Sequence, residues 1–379
     1  MSAPLRISFF GSSLVSAYWN GAATYYRGIL RALAARGHAV TFYEPDAYDR
    51  QKHRDIPDPP WATVVIYPAD GETGVRRALA AGADADLVVK ASGVGVFDAL
   101  LEAAVLELRR PDGRRPLCAF WDVDAPATLE RVNAAAPGEP DPFRALIPRY
   151  DVVFTYGGGP PVVAAYEALG ARRCEPITNG LDPDIHQPGE PDPRFAGDLG
   201  FLGNRLPDRE ARVDEFFLRA AATLPDRAFV LGGAGWHDKP MPPNVRAVGH
   251  VYTRDHNAFN ASTRAVLNVN RDSMARFGHS PATRVFEAAG AGACLVTDAF
   301  VGVESFFTPE REILVARDGA QVAALLAGLT PGRARAIGEA ARRRALAEHT
   351  YDRRAGRVEE VLDDLRAAPR QRRAVAGGA

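Results

Sequence analysis

Pro176-Ile177-Thr178-Asn179-Gly180-Leu181-Asp182-Pro183-Asp184-Ile185-His186-Gln187-Pro188-Gly189-Glu190-Pro191-Asp192-Pro193 divides the chain. Five prolines and the turn dipeptide Asn179-Gly180 fall in this stretch, with few apolar residues. Proline removes a backbone donor and fixes φ, so the segment reads as a linker. On its N-terminal side, Leu5–Phe10, Ala39–Tyr43, Ala62–Tyr67, Asp86–Lys90, Leu117–Trp121 and Val152–Tyr156 read as short buried strands. Ala22–Arg36 reads as a helix, with Tyr25, Ile29, Leu30 and Leu33 on one face. The pattern then restarts. Leu199–Leu202, Ala228–Leu231, Val245–Val248, Ala265–Asn268 and Ala293–Thr297 are strand-like. Arg212–Ala222, Thr283–Ala289 and Tyr351–Ala367 are helical. Strand–helix alternation predicts βαβ units and parallel sheets covered on both faces.

The fold class that follows is α/β, with two Rossmann-like, doubly wound domains facing a cleft. Residues 1–178 form the first and 194–348 the second, and 369–379 is an Arg-, Ala- and Gly-rich tail expected to be disordered. Ligands in such sheets bind at the carboxyl ends of the strands, so the functional residues should occupy the loops facing the cleft.

Composition sets the outer limits. The 379 residues are 46% hydrophobic and 25% charged, the profile of a soluble globular protein. Lys+Arg number 46 against 47 Asp+Glu, so no global field attracts nucleic acid or an anionic membrane. Only Lys52, Lys90 and Lys239 are lysines, an arginine bias that weakens any argument from arginine alone. Cys118, Cys174 and Cys294 are far apart and lie in apolar runs, which predicts neither a disulfide framework nor a zinc spacing and fits a reducing cytoplasm. No 18-residue apolar stretch occurs, so no transmembrane segment is expected; peripheral membrane contact and the oligomeric state stay open.

The strongest chemical signal is Gly278-His279-Ser280-Pro281-Ala282-Thr283-Arg284-Val285-Phe286-Glu287. Ser280 is a natural N-cap, and Pro281 suits the first helical position. A helix start there offers free N–H groups to a phosphate. Arg284 and Glu287 share one face: the arginine suits a diphosphate, the carboxylate both hydroxyls of a ribose. The same residues also read as an ordinary capped helix with a surface ion pair. A second signal is Gly203-Asn204-Arg205, with Arg209, directly after a strand. Its glycine admits close backbone approach, and its arginines suit a diphosphate. Gly11-Ser12-Ser13 and Asn20-Gly21 leave the first strand and suit an anion or a sugar, without the dinucleotide fingerprint. Asp122 and Asp124 end a buried strand, where either can contact an acceptor or serve as a general base. His38, His250, His256, His279 and His349 show no metal spacing, and His279 stands out for its place beside the helix start.

In this order, these motifs resemble glycosyltransferases of the GT-B fold. They are similar to the retaining family 4, and more closely to its CgeB-like (spore-maturation-protein-like) branch. Besides the stretches above, the resemblance rests on Arg36-Gly37-His38-Ala39-Val40, Ile177-Thr178-Asn179-Gly180-Leu181-Asp182 and Gly232-Gly233-Ala234-Gly235-Trp236. It implies a nucleotide-sugar donor, by default a UDP-sugar, held by the second domain, and an unidentified acceptor held by the first. Glu287 matches the family's ribose-binding glutamate, the second of a Glu-x7-Glu motif. Arg209 takes the place of the diphosphate-binding lysine, six residues after Gly203. Asn204 stands where the family usually has arginine, with Arg205 beside it. His279 departs most, replacing the first glutamate eight residues before Glu287. Gly233 belongs to the donor loop, and backbone near Val251 and Tyr252 would read the base. The resemblance also implies that the 351–367 helix crosses back onto the first domain, with hinges near Asn179-Gly180 and His349-Thr350-Tyr351.

The mechanism implied is electrostatic and needs no metal or other cofactor. Arg205, Arg209, Arg284 and the helix start stabilise the leaving diphosphate. If the reaction inverts, Asp124, Asp122 or a histidine must take the acceptor proton; if it retains, the leaving phosphate can. Three other readings remain open: a nucleotide-sugar epimerase on the same fold, a metal-dependent transferase using Asp122 and Asp124, and a non-catalytic nucleotide- or sugar-binding protein.

Overall fold

The computed structural model describes residues 3–18, 20–134 and 140–367, so the expected disordered tail at 369–379 lies outside the described residues. Among the described residues, thirteen strands form two sheets: β1 Arg6–Phe10, β2 Ala39–Asp46, β3 Ala62–Pro68, β4 Leu87–Ala91, β5 Leu117–Asp122, β6 Val152–Thr155 and β7 Cys174–Pro176 in one. The other holds β8 Gly197–Leu202, β9 Phe229–Gly232, β10 Val245–Gly249, β11 Thr263–Asn268, β12 Leu295–Asp298 and β13 Leu314–Ala316. The orders are β3-β2-β1-β4-β5-β6-β7 and β10-β9-β8-β11-β12-β13, and the pairings within them are parallel. Winding reverses between β1 and β4 in the first sheet and between β8 and β11 in the second. Those two crevices, at the carboxyl ends of the strands, are where such sheets bind ligands.

The inner strands are mostly apolar because both faces are covered, whereas the edge strands β3 and β10 are largely exposed. Phe9 enters one core and stacks on Phe42 at 5.3 Å. Phe10 enters the core on the other face and stacks on Tyr43 at 4.6 Å. The Tyr351–Ala367 helix joins the core that holds Phe9, through Tyr351, Ala355, Val358, Val361 and Leu362. It reaches that place because Gly28 has no side chain; a methyl group there would lie 2.2 Å from the Tyr351 ring. The two chain crossings between the sheets run side by side. Leu181 N–H donates to the His349 carbonyl at 2.7 Å, and Tyr351 N–H to the Leu181 carbonyl at 3.0 Å.

Four elements differ from the sequence expectation. β7 and β13 are too short to show any periodicity, and β7 ends at Pro176, where the linker reading begins. The helix expected over Arg212–Ala222 runs from Pro207 to Thr223, with a wide i→i+5 turn at Asp214–Leu218. The helix expected to be capped by Ser280 begins at Thr283, after Ala282, without a side-chain cap.

Candidate functional site

The second sheet's crevice begins at Gly203, directly after β8. A methyl group on Gly203 would lie 2.8 Å from Nη2 of Arg284 and 3.1 Å from Nη2 of Arg209. Two guanidinium groups therefore crowd one glycine. Both sit over the Phe201 ring, at 5.4 Å for Arg284 and 5.8 Å for Arg209. Arg284 Nη1 donates to Asn268 Oδ1 at 3.2 Å, and Arg209 Nη2 donates to the Asn204 carbonyl. Their Nε atoms are buried without a hydrogen-bond partner among the described residues. Neither side chain is within ion-pair distance of a carboxylate there. Burial and the neighbouring Arg284 charge hold Arg209 well below the ordinary guanidinium range, and burial lowers Arg284 as well. Two like charges in a dry place without a counter-ion form a seat for an anion.

The loop around that seat is braced from within. Gly203 N–H donates to the Gly232 carbonyl at 2.8 Å, and its carbonyl accepts from Trp236 Nε1 at 2.8 Å. Asn204 Oδ1 accepts from Ala234 N–H at 3.0 Å. Gly233 has φ +132°, and a methyl group on it would lie 2.2 Å from the Gly203 carbonyl oxygen. Arg205 is committed elsewhere: it pairs with Glu210 at 2.7 Å and with Asp238 at 2.8 Å. The anion seat is thus built from Arg209 and Arg284, with Arg205 shaping the loop beside it.

Glu287 lies one turn beyond Arg284 on the Thr283–Gly290 helix. Its Oε1 is 3.6 Å from His186 Nε2, and its Oε2 is 3.9 Å from His256 Nδ1. Val251 and Tyr252 precede the Thr253–Ser262 helix, which carries His256. The Val251 carbonyl is 3.3 Å from His256 Nε2, while the Tyr252 side chain is 58% exposed. Burial lowers the His256 pKa, against the pull of Glu287. His186 comes from the linker, which approaches the helix closely because position 290 is glycine; a methyl group there would lie 2.6 Å from the His186 carbonyl oxygen.

His279 and Ser280 join the two sheets. A methyl group on Gly159, the first residue of the Gly159–Ala168 helix that follows β6, would lie 2.6 Å from His279 Cβ. On the other side, one on Gly302 would lie 2.1 Å from His279 Nδ1. His279 has φ +45°, in the left-handed region that a histidine seldom adopts. Ser280 Oγ packs against Gly157, at 2.4 Å from the place of a methyl group there. The expected cap fails because Asn179, in the linker, claims this segment. Its Nδ2 donates to the Pro281 carbonyl at 3.1 Å, and its Oδ1 accepts from Thr283 Oγ1 at 3.2 Å. Residues 280–282 therefore approach the helix as a strap across the cleft.

The first sheet's crevice is polar. Ser12 Oγ donates to Asn20 Oδ1 at 2.9 Å, and Asn20 Nδ2 donates to the Ser13 carbonyl at 2.8 Å. Ser13 Oγ donates to Glu44 Oε1 at 3.0 Å, and Leu14 N–H to Glu44 Oε2 at 2.6 Å. The loop after β1 is thus folded around Glu44. Gly11 packs under Phe42, while Gly21 faces open space. Asp122 is fully enclosed; it accepts from Asp124 N–H and Thr128 Oγ1 at 3.0 Å each, and from the Tyr166 hydroxyl at 2.5 Å. That is a bracing role. Asp124 is half-buried and faces the second sheet, with Arg271 Nη1 at 3.9 Å. Burial raises its pKa, partly offset by Arg271.

Sequence reasoning missed two groups. His186 was passed over because nothing in its linker motif signals a ligand, and His256 stands far from Glu287 in sequence. Arg50 is buried at the ends of β1 and β4, where its Nη1 donates to the Ser12 carbonyl at 3.1 Å while Nε has no partner among the described residues. No local motif marks it in an arginine-rich chain.

A family described as glycosyl transferase-like matches residues 209–376, which include Arg209, Arg284 and Glu287. No curated protein matches the chain. Among solved structures, sucrose-phosphate synthase from Thermosynechococcus elongatus is similar over 96% of this chain and 100% of its own, with TM-score 0.68 and 15% identity. Anabaena HepE in complex with UDP-glucose is similar over 95% of this chain and 100% of its own, with TM-score 0.63 and 14% identity. AviGT4, a glycosyltransferase involved in avilamycin A biosynthesis, is similar over 96% and 99%, with TM-score 0.61 and 20% identity. The fold is that of the GT-B glycosyltransferases. Among the described residues, no helix is long and apolar enough to cross a membrane.

Proposed function

We propose that this chain transfers a sugar from a nucleoside-diphosphate sugar, by default a UDP-sugar, to an acceptor held in the first sheet's crevice. The observation that carries the reading is the pair of buried, carboxylate-free guanidinium groups at Gly203, with Glu287 one turn away on the same helix. A diphosphate supplies the missing charge, and a ribose supplies two hydroxyls for the carboxylate. The match over 209–376 and the fold shared with a UDP-glucose complex support the same assignment.

The transferase reading requires stabilisation of the charge that grows on the departing diphosphate. Arg209 and Arg284 are fixed in place before the reaction, and preorganised cations in a water-poor site need no reorganisation as charge develops. The mechanism we propose uses these arginines in place of a metal. His279, at the seam of the two sheets, donates to the donor sugar or its phosphate. Asp124 contacts the acceptor. We assign the retaining course, in which the leaving phosphate takes the acceptor proton, in keeping with the family 4 resemblance. The cytoplasm supplies nucleotide sugars, and the three free, buried cysteines fit that compartment.

The test is product formation. The purified chain, with a chelator present, is offered labelled UDP-, GDP-, ADP- and TDP-sugars, with and without a panel of sugar and lipid-linked acceptors. Acceptor-dependent release of one nucleoside diphosphate supports transfer. Sugar interconversion without release would replace transfer by epimerisation.

A further inference from the structure

His186, His256 and Glu287 each present one ligand atom, and these atoms lie within 4.8 Å of one another. They come from three separate parts of the fold: the linker, the Thr253–Ser262 helix and the Thr283–Gly290 helix. His186 is 5% exposed, and its Nδ1 is buried without a partner among the described residues. The Nδ1 of His256 is likewise buried and without a hydrogen bond.

The orientation of His256 is informative. Its Nε2 lies 3.3 Å from the Val251 carbonyl, which can only accept, so Nε2 carries the hydrogen. The neutral ring then directs a lone pair from Nδ1 at the Glu287 carboxylate, 3.9 Å away. Two electron-rich atoms face each other across a partly buried gap, an arrangement that a cation between them satisfies. A backbone carbonyl that fixes a histidine by its far nitrogen is the usual support of a metal-ligating imidazole. Two imidazoles and one carboxylate form a donor set that suits zinc, with a fourth position open.

We propose that His186, His256 and Glu287 form a zinc site, and that zinc and the nucleotide-sugar donor exclude each other there. The exclusion half rests on the reading of Glu287 as the ribose-binding carboxylate. Zinc draws that carboxylate toward the histidines and fills the space of the ribose hydroxyls. Zinc is then an inhibitor at the donor site. The Arg284 charge, one turn away, opposes the cation and favours the donor's diphosphate, so the two ligands divide the site by charge.

The full chain, stripped of metal by chelator and dialysed, is titrated with Co2+ and followed by visible absorption. The expected result is one Co2+ per chain, with the intense ligand-field bands of four-coordinate cobalt, displaced by Zn2+. His256→Gln and His186→Ala lose the bands while keeping the wild-type circular dichroism; His256→Gln is the safer of the two because His256 is the less buried. UDP titrations with and without Zn2+ follow. Saturating Zn2+ weakens UDP binding by about tenfold or more in the wild type and leaves it unchanged in His256→Gln. Absent or non-stoichiometric cobalt bands, or bands that survive both substitutions, overturn the site. Cobalt binding without any effect of Zn2+ on bound UDP overturns the exclusion. If cobalt binds as expected but no nucleotide binds at all, the zinc site stands and the donor reading of Glu287 fails.

Discussion

Arg209 and Arg284 place their Nη2 atoms 3.1 and 2.8 Å from the point where a methyl group on Gly203 would sit. The chain thus holds two cations against each other at a strand end, with no carboxylate within ion-pair distance of either among the described residues. Such an arrangement is unfavourable until an anion arrives, and binding sites commonly carry a stability cost of this kind.

That cost gives the first expected outcome. Arg209→Met raises Tm in the absence of ligand, because it removes one of two like charges from a buried place. It also abolishes the rise in Tm caused by a nucleoside diphosphate. Differential scanning fluorimetry of both proteins, with and without UDP, measures both effects. A variant that loses Tm while still responding to UDP would contradict the anion seat.

Gly203→Ala tests the geometry. The added methyl meets the ends of two flexible side chains and, at 3.1 Å, the edge of the buried Phe201 ring, so the fold survives at a cost of about 1–2 kcal/mol. The arginines are pushed from the position that a diphosphate needs. Calorimetry should show UDP affinity reduced by about tenfold or more, a loss of at least 1.4 kcal/mol.

His279→Gly separates strain from chemistry. The residue sits at φ +45°, so glycine relieves about 1 kcal/mol and Tm does not fall. Activity falls by about a hundredfold if the imidazole donates to the donor. His279→Ala also loses most of the activity. An unchanged kcat/KM in both variants would remove His279 from the mechanism.

The two aspartates should behave in opposite ways. Asp122→Asn leaves the Tyr166, Thr128 and backbone donors facing a poorer acceptor, and costs about 2 kcal/mol in urea unfolding. Asp124→Asn leaves stability nearly unchanged, and raises KM for the acceptor without altering UDP affinity.

These outcomes bear on how much could be read from the chain itself. The fold was legible because buried parallel strands are short, mostly apolar runs, such as Leu117–Trp121 and Val152–Tyr156, separated by helical periods. Gly203, Arg209, Arg284 and Glu287 were legible as short-range spacing, and the structure brings all four to one crevice. Two kinds of feature were hidden. The Ser280 cap competes with Asn179, a partner from the linker that local preference cannot see. The His186–His256–Glu287 cluster joins three distant segments, and nothing in any one of them marks a metal ligand. β7 and β13 carry too few residues to show a period.

His349, at the second chain crossing, predicts a pH effect on stability. It is 5% exposed; its Nε2 donates to the Phe306 carbonyl at 2.9 Å, and its Nδ1 accepts from Arg354 at 3.0 Å. Burial, reinforced by the Arg354 charge, pushes its pKa down from 6.5 to about 4. The unfolded chain therefore binds more protons between those values. The stability owed to neutral His349 is fully present above pH 6.5 and is lost as pH falls toward 4, by up to about 3 kcal/mol. Urea unfolding across that window should show a shallower acid loss in His349→Gln than in the wild type. Parallel curves would contradict a neutral His349 in the folded protein.

The central claim is that the crevice at Gly203 holds a nucleoside diphosphate through Arg284 and Glu287. The most direct test is a thermal-shift panel of UDP, GDP, ADP, TDP and their sugars with EDTA present, on wild type, Arg284→Ala and Glu287→Ala. A ligand that binds only the folded chain raises Tm in proportion to RT ln(1 + [L]/Kd). The account predicts that one nucleotide series raises Tm with the chelator present, and that both substitutions abolish the rise without unfolding the protein. No rise with any nucleotide, or a rise that survives both substitutions, would contradict it.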